Sequence, residues 1–288
     1  VMPEEATAAQ VLFFHDCLSG MVSAAAEAGY SILVCMSAAR GTAALEDVIA
    51  NRKADAAILT QLRHEDENVA LLSERGFPFV VIGSCDLAGI SPSALVDSKM
   101  SESCADFTRL CVRRLLSSRT VRRANVLFVC GSLDVEANNK RLSGFLTAME
   151  DDDARPLQYA VCTDVADVTE VTDSYVLRDW GLILCADDVV CMQLQGALKK
   201  LGVAIGREVL LASLHDSVLL EQSVPAVSAL RVDARTLGST AAETALKMLS
   251  GAEFAQASYV DCSFQLRAST GSVDSSVTAN DNDSRRRA

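Results

Sequence analysis

The residues of this sequence that could take part in chemistry are spread along the chain rather than gathered in a catalytic pattern. The histidines are His15, His64 and His215, each at a separate predicted strand or helix end. The sequence lacks the glycine-rich phosphate loops, the G-x-S-x-G turn and the H-E-x-x-H helix of common enzyme classes. His215 stands beside Asp216, and such a pair more often contacts a ligand or a hydrogen-bond partner than acts as a general base. We therefore expect a binding protein with no catalytic residues.

The ten cysteines form neither a C-x-x-C pair nor a Cys/His cluster at metal-ligand spacing. Most of them lie in apolar runs such as SILVCM, VLFVC and LILC, which is typical of small core residues in a reducing compartment. We expect no metal, no cofactor and no disulfide framework, and a cytoplasmic location.

The overall composition predicts a globular protein with a large core. Half of the 288 residues are hydrophobic, and the formal net charge is −12, which repels nucleic acid and anionic lipid. No apolar run is long enough to span a membrane and no signal-peptide pattern is visible.

The chain opens on Val1-Met2 before Pro3, which resembles the end of a strand, so we expect residues upstream. Five arginines cluster where a helix is predicted to end, and we interpret them as solvated cations at the helix C-terminus rather than as a nucleic-acid-binding patch. They are Arg113, Arg114, Arg119, Arg122 and Arg123.

Strand and helix patterns alternate at intervals of roughly 25 residues, which is typical of parallel sheets with helical crossovers. Apolar residues at helical spacing from Phe13 onward stop at Gly29. Strands are predicted at 31–36, 56–60, 78–83 and 94–96, and again at 125–131, 157–162, 181–186 and 209–214. Helices are predicted at 43–51, 67–75, 101–117, 141–150 and 189–201. A strand at 228–233, a helix at 235–249 and a strand at 259–266 follow.

Two successive sets of strands predict the fold class: α/β, with two Rossmann-like lobes of parallel strands joined by a hinge that the chain crosses several times. We assign 1–96 and 233–256 to the first lobe, and 97–232 and 257–269 to the second. The polar stretch from Ser269 is expected to be a solvated tail, with 270–288 flexible. Ligands of open α/β sheets bind beyond the carboxyl ends of the strands, so the cleft between the lobes is the predicted site.

Several segments resemble the LacI/GalR transcription repressors, whose regulatory domain has the type I periplasmic-binding-protein fold. The resemblance runs from about Met2 to Ser269 and depends on the order of its motifs. They are FFHDCLSGMVSAAAEAGYSILV, ADAAIL, LLSERGFPFVVIG, Val96-Asp97, KRLSGF, LILCADDVVCMQLQGALKKLG, VLLASLHDS, LRVDARTLGSTAAETALKML and FQLRAST.

The resemblance implies a set of ligand-binding residues. Phe13 and Phe14 would lie at the mouth of the first lobe, where an aromatic ring covers the ligand, although either could instead face the core. Arg141 would extend into the cleft as a forked donor to hydroxyls or a carboxylate, although an arginine that opens a helix could instead be solvated. Asp187 would hold a ligand hydroxyl. Either Asp187 or Asp188 could cap the helix that follows, and we expect the cap at Asp188.

Three departures leave the ligand class open. His215 occupies the position where sugar-binding members keep an aspartate, and Ser213 replaces a turn glycine; Gly83 falls where some members place an Asp. Imidazole offers one donor and one acceptor rather than a carboxylate's two acceptors. A sugar, a nucleoside, a polyol or an anionic metabolite is therefore possible.

The resemblance implies a ligand-sensing, dimerising part of a DNA-binding regulator. Operator DNA would be bound only through an upstream headpiece, and helices at 100–116 and 236–249 would supply contacts of the homodimer. The alternative is a solute-binding protein of a transport system for a sugar-like ligand, which shares the fold.

Overall fold

The computed structural model describes most of the chain as two α/β lobes. The described residues are 2–3, 8–37, 41–60, 62, 66–83, 93–151, 154, 157–165, 169, 171–172 and 175–271. Among them, no helix has the length and apolar character needed to cross a bilayer.

The helices of the described residues are α1 (Ala8–Glu27), α2 (Ala43–Ala50), α3 (Glu67–Glu74), α4 (Met100–Ser117), α5 (Glu136–Met149), α6 (Asp188–Lys200), α7 (Val218–Gln222) and α8 (Ala234–Ser250). The strands are β1 (Met2–Pro3), β2 (Met36–Ser37), β3 (Ala57–Thr60), β4 (Phe79–Ile82), β5 (Ala94–Asp97), β6 (Asn125–Val129), β7 (Gln158–Cys162), β8 (Leu182–Cys185), β9 (Leu210–Ser213), β10 (Ser228–Val232), β11 (Ala257–Tyr259) and β12 (Cys262–Gln265). Short 3-10 turns lie at Leu177–Asp179 and Ala268–Thr270.

Each lobe is built on its own parallel sheet. The first sheet has the order β11-β5-β4-β3, and the second has the order β12-β10-β9-β8-β6-β7 with only β12 antiparallel to its neighbour. Strands β4, β8 and β9 are buried along their whole length, as expected for continuous apolar runs covered by helices on both faces. The predicted fold class, with two lobes of parallel strands, is confirmed.

Helices α1 and α8 pack unusually closely in the first lobe. A Cβ atom placed on Gly238 would lie 1.9 Å from the carbonyl oxygen of Cys17, and one on Gly20 would lie 2.0 Å from that of Arg235. The two backbones are therefore nearly in contact, and a hydrogen in place of a side chain is what permits it.

The predicted strand at 31–36 is wrong for most of its length. Only Met36–Ser37 forms a strand, paired in parallel with Met2–Pro3, and Leu33 and Val34 are 53% and 45% exposed. A strand needs a neighbour along its whole length to satisfy its backbone groups. Within the described residues β1 supplies that neighbour for two residues, so 31–35 remain outside the ladder.

The hinge is made where the chain passes between the sheets, after β5, after β10 and after β11. Residues 257–259 pair with β5 in the first sheet, so the boundary predicted at 257 is wrong, and the single strand predicted at 259–266 is two strands, β11 and β12. At the hinge the Val260 amide donates to the Asp97 carbonyl at 2.9 Å, and the Lys99 ammonium lies 4.8 Å from the centre of the Tyr259 ring.

The predicted solvated tail begins too early. Ser269 and Thr270 are buried: the Ser269 hydroxyl accepts from the Ser228 amide at 2.9 Å and donates to the Leu211 carbonyl at 2.5 Å. Arg114 of α4 donates to the Thr270 and Gly271 carbonyls. Small hydroxyl residues that find backbone partners can be buried at little cost. Residues 272–288 lie outside the described part of the chain.

Candidate ligand-binding site

The carboxyl ends of β6, β8 and β9 lie at one edge of the second sheet and are followed by polar loops. Asp187 and Asp188 follow β8, and His215 follows β9, while Arg141 extends from α5, the helix after β6. The charge of Arg141 influences the pKa of both His215 and Asp188. The topology therefore brings side chains from three separate parts of the sequence to one place.

The first lobe contacts this edge through residues that include Phe13 and Leu62. The rings of Phe13, on α1, and His215 meet edge to face, with centroids 5.9 Å apart. Beyond β3, the carbonyl oxygen of Leu62 accepts a hydrogen bond from the amide of Glu136, the first residue of α5, at 3.2 Å. The polar groups consequently lie between two lobes that are in contact.

His215 is held in a neutral state between the lobes. Burial lowers the pKa of its imidazole to about 3, the positive charge of Arg141 acts in the same direction, and Asp216 opposes it. A small part of the residue still reaches solvent. At neutral pH the ring therefore offers one hydrogen-bond donor and one acceptor.

Ser213 shapes the turn that presents His215. Its hydroxyl donates to the His215 carbonyl at 2.7 Å and accepts from the His215 amide at 3.2 Å. The serine thus closes the turn with a side chain where the family resemblance predicted a glycine.

Arg141 lies in the second turn of α5, because this helix begins at Glu136 and not at Arg141 as the sequence predicted. Its Nη1 donates to the Oδ1 of Asn138 at 3.1 Å. Its Nε is buried and has no acceptor among the described residues. A buried guanidinium nitrogen without a partner is costly, which suggests that a further group satisfies it.

Asp187 and Asp188, which follow β8, have different structural roles from those predicted. Asp187 caps α6 by accepting from the Val190 amide at 2.9 Å, so the cap expected at Asp188 is wrong. The Asp188 side chain is completely buried, and both of its carboxylate oxygens lack a donor among the described residues. The sequence prediction missed Asp188 because either of two adjacent aspartates could have occupied the cap.

The environment of Asp188 disfavours its charge. Burial, the largest cause, raises the pKa of the carboxyl, and the charge of Asp187 adds to this effect. The Ser217 hydroxyl, the backbone amide of Asp188 and the charge of Arg141 oppose it. Ser217 lies near the carboxylate without reaching hydrogen-bond geometry, and its own buried hydroxyl oxygen has no partner among the described residues.

Asp216, next to His215, has a structural role. Its side chain is 1% exposed, and it accepts two hydrogen bonds from Arg267, at 2.6 and 2.9 Å, and one from Arg231 at 2.8 Å. The carboxylate is therefore fully occupied within the second lobe. It joins the turn after β9 to the segment FQLRAST.

Phe14 lies away from the other predicted site residues. It is 3% exposed and lines a cavity inside the first lobe, whereas Phe13 is partly accessible and faces the second lobe. The structure thus brings Phe13, Arg141 and His215 into one region, with Asp187 beside it. His64 lies outside the described residues.

No group of three or more metal-ligating side chains occurs in the part of the chain that the structure describes. The arrangement consists of hydrogen-bonding groups at the interlobe edge, with the aromatic ring of Phe13 beside them. It can recognise a polar molecule.

Two lobes of parallel sheet, three hinge crossings and polar groups at the interlobe edge define the class of two-lobed periplasmic-binding-protein-like domains. The chain belongs to the periplasmic binding protein-like domain family, whose model matches residues 98–270. No curated protein has a sequence that significantly matches this one.

Solved structures of LacI-family regulators share the fold. A putative LacI transcriptional regulator from Bacillus cereus subsp. cytotoxis matches with a TM-score of 0.76 and 19% identity, over 93% of this chain and 96% of that one. A LacI-family regulator from Bifidobacterium animalis subsp. lactis matches with a TM-score of 0.75 and 21% identity, over 94% and 96%. The lac repressor dimer bound to operator and the anti-inducer ONPF matches with a TM-score of 0.75 and 17% identity, over 94% and 80%.

Proposed function

We propose that this chain is the effector-binding and dimerising part of a LacI-type transcription regulator, which holds a small polar molecule between its lobes. It catalyses no reaction and works in the cytoplasm as a homodimer. DNA would be bound by an upstream headpiece, because a chain with a net charge of −12 repels phosphate.

The observation that carries this proposal is the set of buried, unpartnered polar atoms at the interlobe edge. They are Nε of Arg141, both carboxylate oxygens of Asp188 and Oγ of Ser217, none of which has a partner among the described residues. Buried polar atoms are nearly always hydrogen-bonded in native proteins. A bound molecule that reached these atoms when the lobes move apart would supply the missing partners.

The donor and acceptor pattern limits the chemistry of that molecule. It must donate to Asp188 and accept from Arg141, while His215, neutral at pH 7, offers one bond of each kind. Hydroxyl groups, amides and nucleobase edges can do both. We favour a neutral polyhydroxylated molecule or a nucleoside, with Phe13 covering its apolar face.

The free cysteines favour a regulator over an exported solute-binding protein. Each of the nine cysteines among the described residues is a free thiol, and free thiols accumulate in proteins of reducing compartments. The likeness to the lac repressor dimer, which was solved on operator DNA, supports the same choice.

The mechanism we propose is a population shift. The effector favours one relative orientation of the two lobes, and the three hinge crossings transmit this orientation to α4 and α8, which we propose as dimer helices. A change in lobe orientation would then alter the spacing of two DNA-binding headpieces.

The test is a ligand screen on the full chain. Monosaccharides, disaccharides, polyols, nucleosides and purine bases are added singly, and the midpoint of thermal unfolding is measured. A molecule present at about 100 times its dissociation constant stabilises the fold by about 2.7 kcal/mol, and titration calorimetry then gives its affinity. If no class of molecule shifts the midpoint of the folded protein, the proposal fails.

Two variants locate the site. Arg141→Ala should weaken binding at least tenfold, whereas Arg207→Ala, which removes an exposed arginine before β9, should leave the affinity unchanged. Sedimentation should show a dimer. Ligand binding by a monomer would instead indicate a solute-binding protein, and retained affinity in Arg141→Ala would place the ligand elsewhere.

A further inference from the structure

Two cysteines lie where the chain enters the second lobe from the hinge. Cys262 is the first residue of β12, shortly after β11, and Cys104 lies near the start of α4, which follows β5. The Cys262 thiol donates to the carbonyl oxygen of Ser98 at 3.6 Å. The Ser103 hydroxyl donates to the same oxygen at 3.1 Å. The Cys262 thiol therefore lies beside the first turn of α4.

Strand β12 and the segment that follows it run along α4 in the same direction. The rings of Phe264 and Phe107 have centroids 5.4 Å apart, and farther along Arg114 donates to the Thr270 carbonyl at 3.1 Å. Two strand residues span about 6.6 Å, which is the length of about four helix residues. Counted back from the Phe264–Phe107 contact, Cys262 is level with residues 103–104 of α4.

Both thiols face the same apolar core. Alternate residues of a strand share a face, so Cys262 lies on the face of β12 from which Phe264 meets α4. Cys104 is completely buried in this core, and Cys262 packs against the core while part of its surface stays accessible. Burial raises the pKa of Cys104 to about 12, the charge of Arg141 opposes this, and a charge on Cys262 adds to it. The two thiols are therefore neighbours.

We propose that Cys104 and Cys262 form a redox modification site, which a peroxide converts into a disulfide between α4 and β12. Cys262, the partly accessible thiol, reacts first, and the buried Cys104 closes the bond. Disulfides of this transient kind occur in reducing compartments as redox sensors. The site lies outside the effector region and does not depend on the proposed function.

The chemistry has two steps. The Cys262 thiolate attacks one oxygen of hydrogen peroxide, so that an S–O bond forms, the O–O bond breaks, and the departing hydroxide becomes water with the proton that the thiol released. The Cys104 thiol then attacks the sulfur of this sulfenic acid. The S–S bond forms, the S–O bond breaks, and the hydroxyl group leaves as a second water with the Cys104 proton. The two thiols together lose two electrons, and the peroxide gains them.

The disulfide would act on the hinge. Oxidation removes the S–H donor from the carbonyl of Ser98, which lies directly after β5 in one hinge crossing. It also ties together α4 and β12, the elements that follow two of the three crossings. A covalent tie at these points would narrow the range of lobe orientations that the protein populates.

The surroundings of Cys262 make this reaction slow at neutral pH. Burial, the largest cause, raises the pKa of its thiol. Ser103 and Ser98 oppose this effect, whereas the charges of Asp97 and Asp261 add to it. Because the thiolate is the reactive form, the disulfide should form roughly tenfold faster at pH 8 than at pH 7.

The experiment treats the folded full chain with hydrogen peroxide and then blocks the remaining thiols with iodoacetamide. Peptides prepared without a reductant are mapped by mass spectrometry. A linked pair containing Cys104 and Cys262 should appear, about 2 Da lighter than its two reduced peptides together, and dithiothreitol should reverse it. The midpoint of thermal unfolding should rise by about 5 °C, because the disulfide closes a long loop in the unfolded chain.

Three variants identify the pair. Cys262→Ser keeps a hydrogen-bond donor toward Ser98 and should abolish both the linked peptides and the rise in midpoint. Cys104→Ala should do the same, and it provides a second test if the serine variant folds poorly. Cys162→Ser is the matched control, since it removes a partly accessible thiol from β7, the opposite edge strand of the same sheet. Both effects should persist in this control.

Several results would overturn the proposal. They are thiols of Cys104 and Cys262 that stay open to alkylation after unfolding, a disulfide between other cysteines or between two molecules, and oxidation of Cys262 to a sulfinic or sulfonic acid without a link. A rise in midpoint that persists in Cys262→Ser, or a rate of linking that does not increase between pH 7 and pH 8, would also contradict it.

Discussion

Phe13 and His215 come from different lobes and from positions about 200 residues apart, yet their rings meet edge to face at a centroid distance of 5.9 Å. The contact closes one side of the polar region that contains Arg141 and Asp188. It also buries the imidazole, and this burial is the main reason for the low pKa of His215.

The low pKa of His215 makes stability depend on pH. The folded-state pKa is about 3 against an ordinary value of 6.5, so between these values the unfolded chain binds a proton that the folded chain does not. Stability that is present above pH 6.5 is therefore lost as the pH falls, by at most about 1.4 kcal/mol per pH unit from this residue. Urea unfolding from pH 7 to pH 4 should show a smaller loss for His215→Gln than for the unchanged protein. His15→Gln, at an exposed position on α1, is the control, and an equal loss in both variants would contradict the prediction.

Asp188→Asn should stabilise the ligand-free protein. The raised pKa of this buried carboxyl means that the folded state disfavours its charge, so its contribution to stability falls as the pH rises above the ordinary value of 3.8. Removing the charge should raise the free energy of unfolding at pH 7 by about 1 kcal/mol and weaken effector binding. Asp187→Asn is the comparison variant. Asparagine also caps a helix, so this substitution should change the free energy of unfolding only slightly. A loss of stability in Asp188→Asn would show that the carboxylate is satisfied in the native protein.

The pair Asp216–Arg267 should contribute strongly to the stability of the second lobe. Arg267→Ala removes two of the three hydrogen bonds that the described residues donate to a carboxylate that is 1% exposed, and breaking a buried pair costs about 3–5 kcal/mol. Arg231 is 45% exposed, so Arg231→Ala should cost less than about 1 kcal/mol. Urea denaturation of both variants measures the two losses in free energy of unfolding. Equal losses would mean that Asp216–Arg267 contributes no more than Asp216–Arg231.

The close contact of α1 with α8 should make Gly238 intolerant of a side chain. The Cβ of Gly238→Ala would lie 1.9 Å from the Cys17 carbonyl oxygen, so the helices must separate, and we expect a loss of about 3 kcal/mol or more. Gly196→Ala, on α6 with no atom within 4 Å of its Cβ, should instead stabilise by about 0.5–1 kcal/mol. Circular dichroism melts compare the two variants, and a tolerated Gly238→Ala would mean that the helices can move apart without cost.

The repeated strand and helix patterns were sufficient to predict the elements and the two-lobed class. Periodicity is a local property, and buried parallel strands read as continuous apolar runs whatever their partners. Most boundaries therefore agree closely with the sequence prediction, as for the helix predicted at 101–117 and found at Met100–Ser117. Where an element depends on a distant partner, as at 31–36, the same pattern predicted a strand of which only Met36 belongs to a strand in the structure.

By itself, the sequence determined most of the secondary structure, the parallel sheets, the absence of a recognisable catalytic motif and the candidate residues Phe13, Phe14, Arg141, Asp187 and His215. Only the tertiary structure decided that Phe13 faces His215 while Phe14 faces the core. It also decided that Asp187 caps α6, while Asp188 is buried with no hydrogen-bond partner among the described residues. The reason is physical: adjacent residues of one type have the same local pattern, and their roles differ through burial and through hydrogen bonds to groups that are far away in the chain.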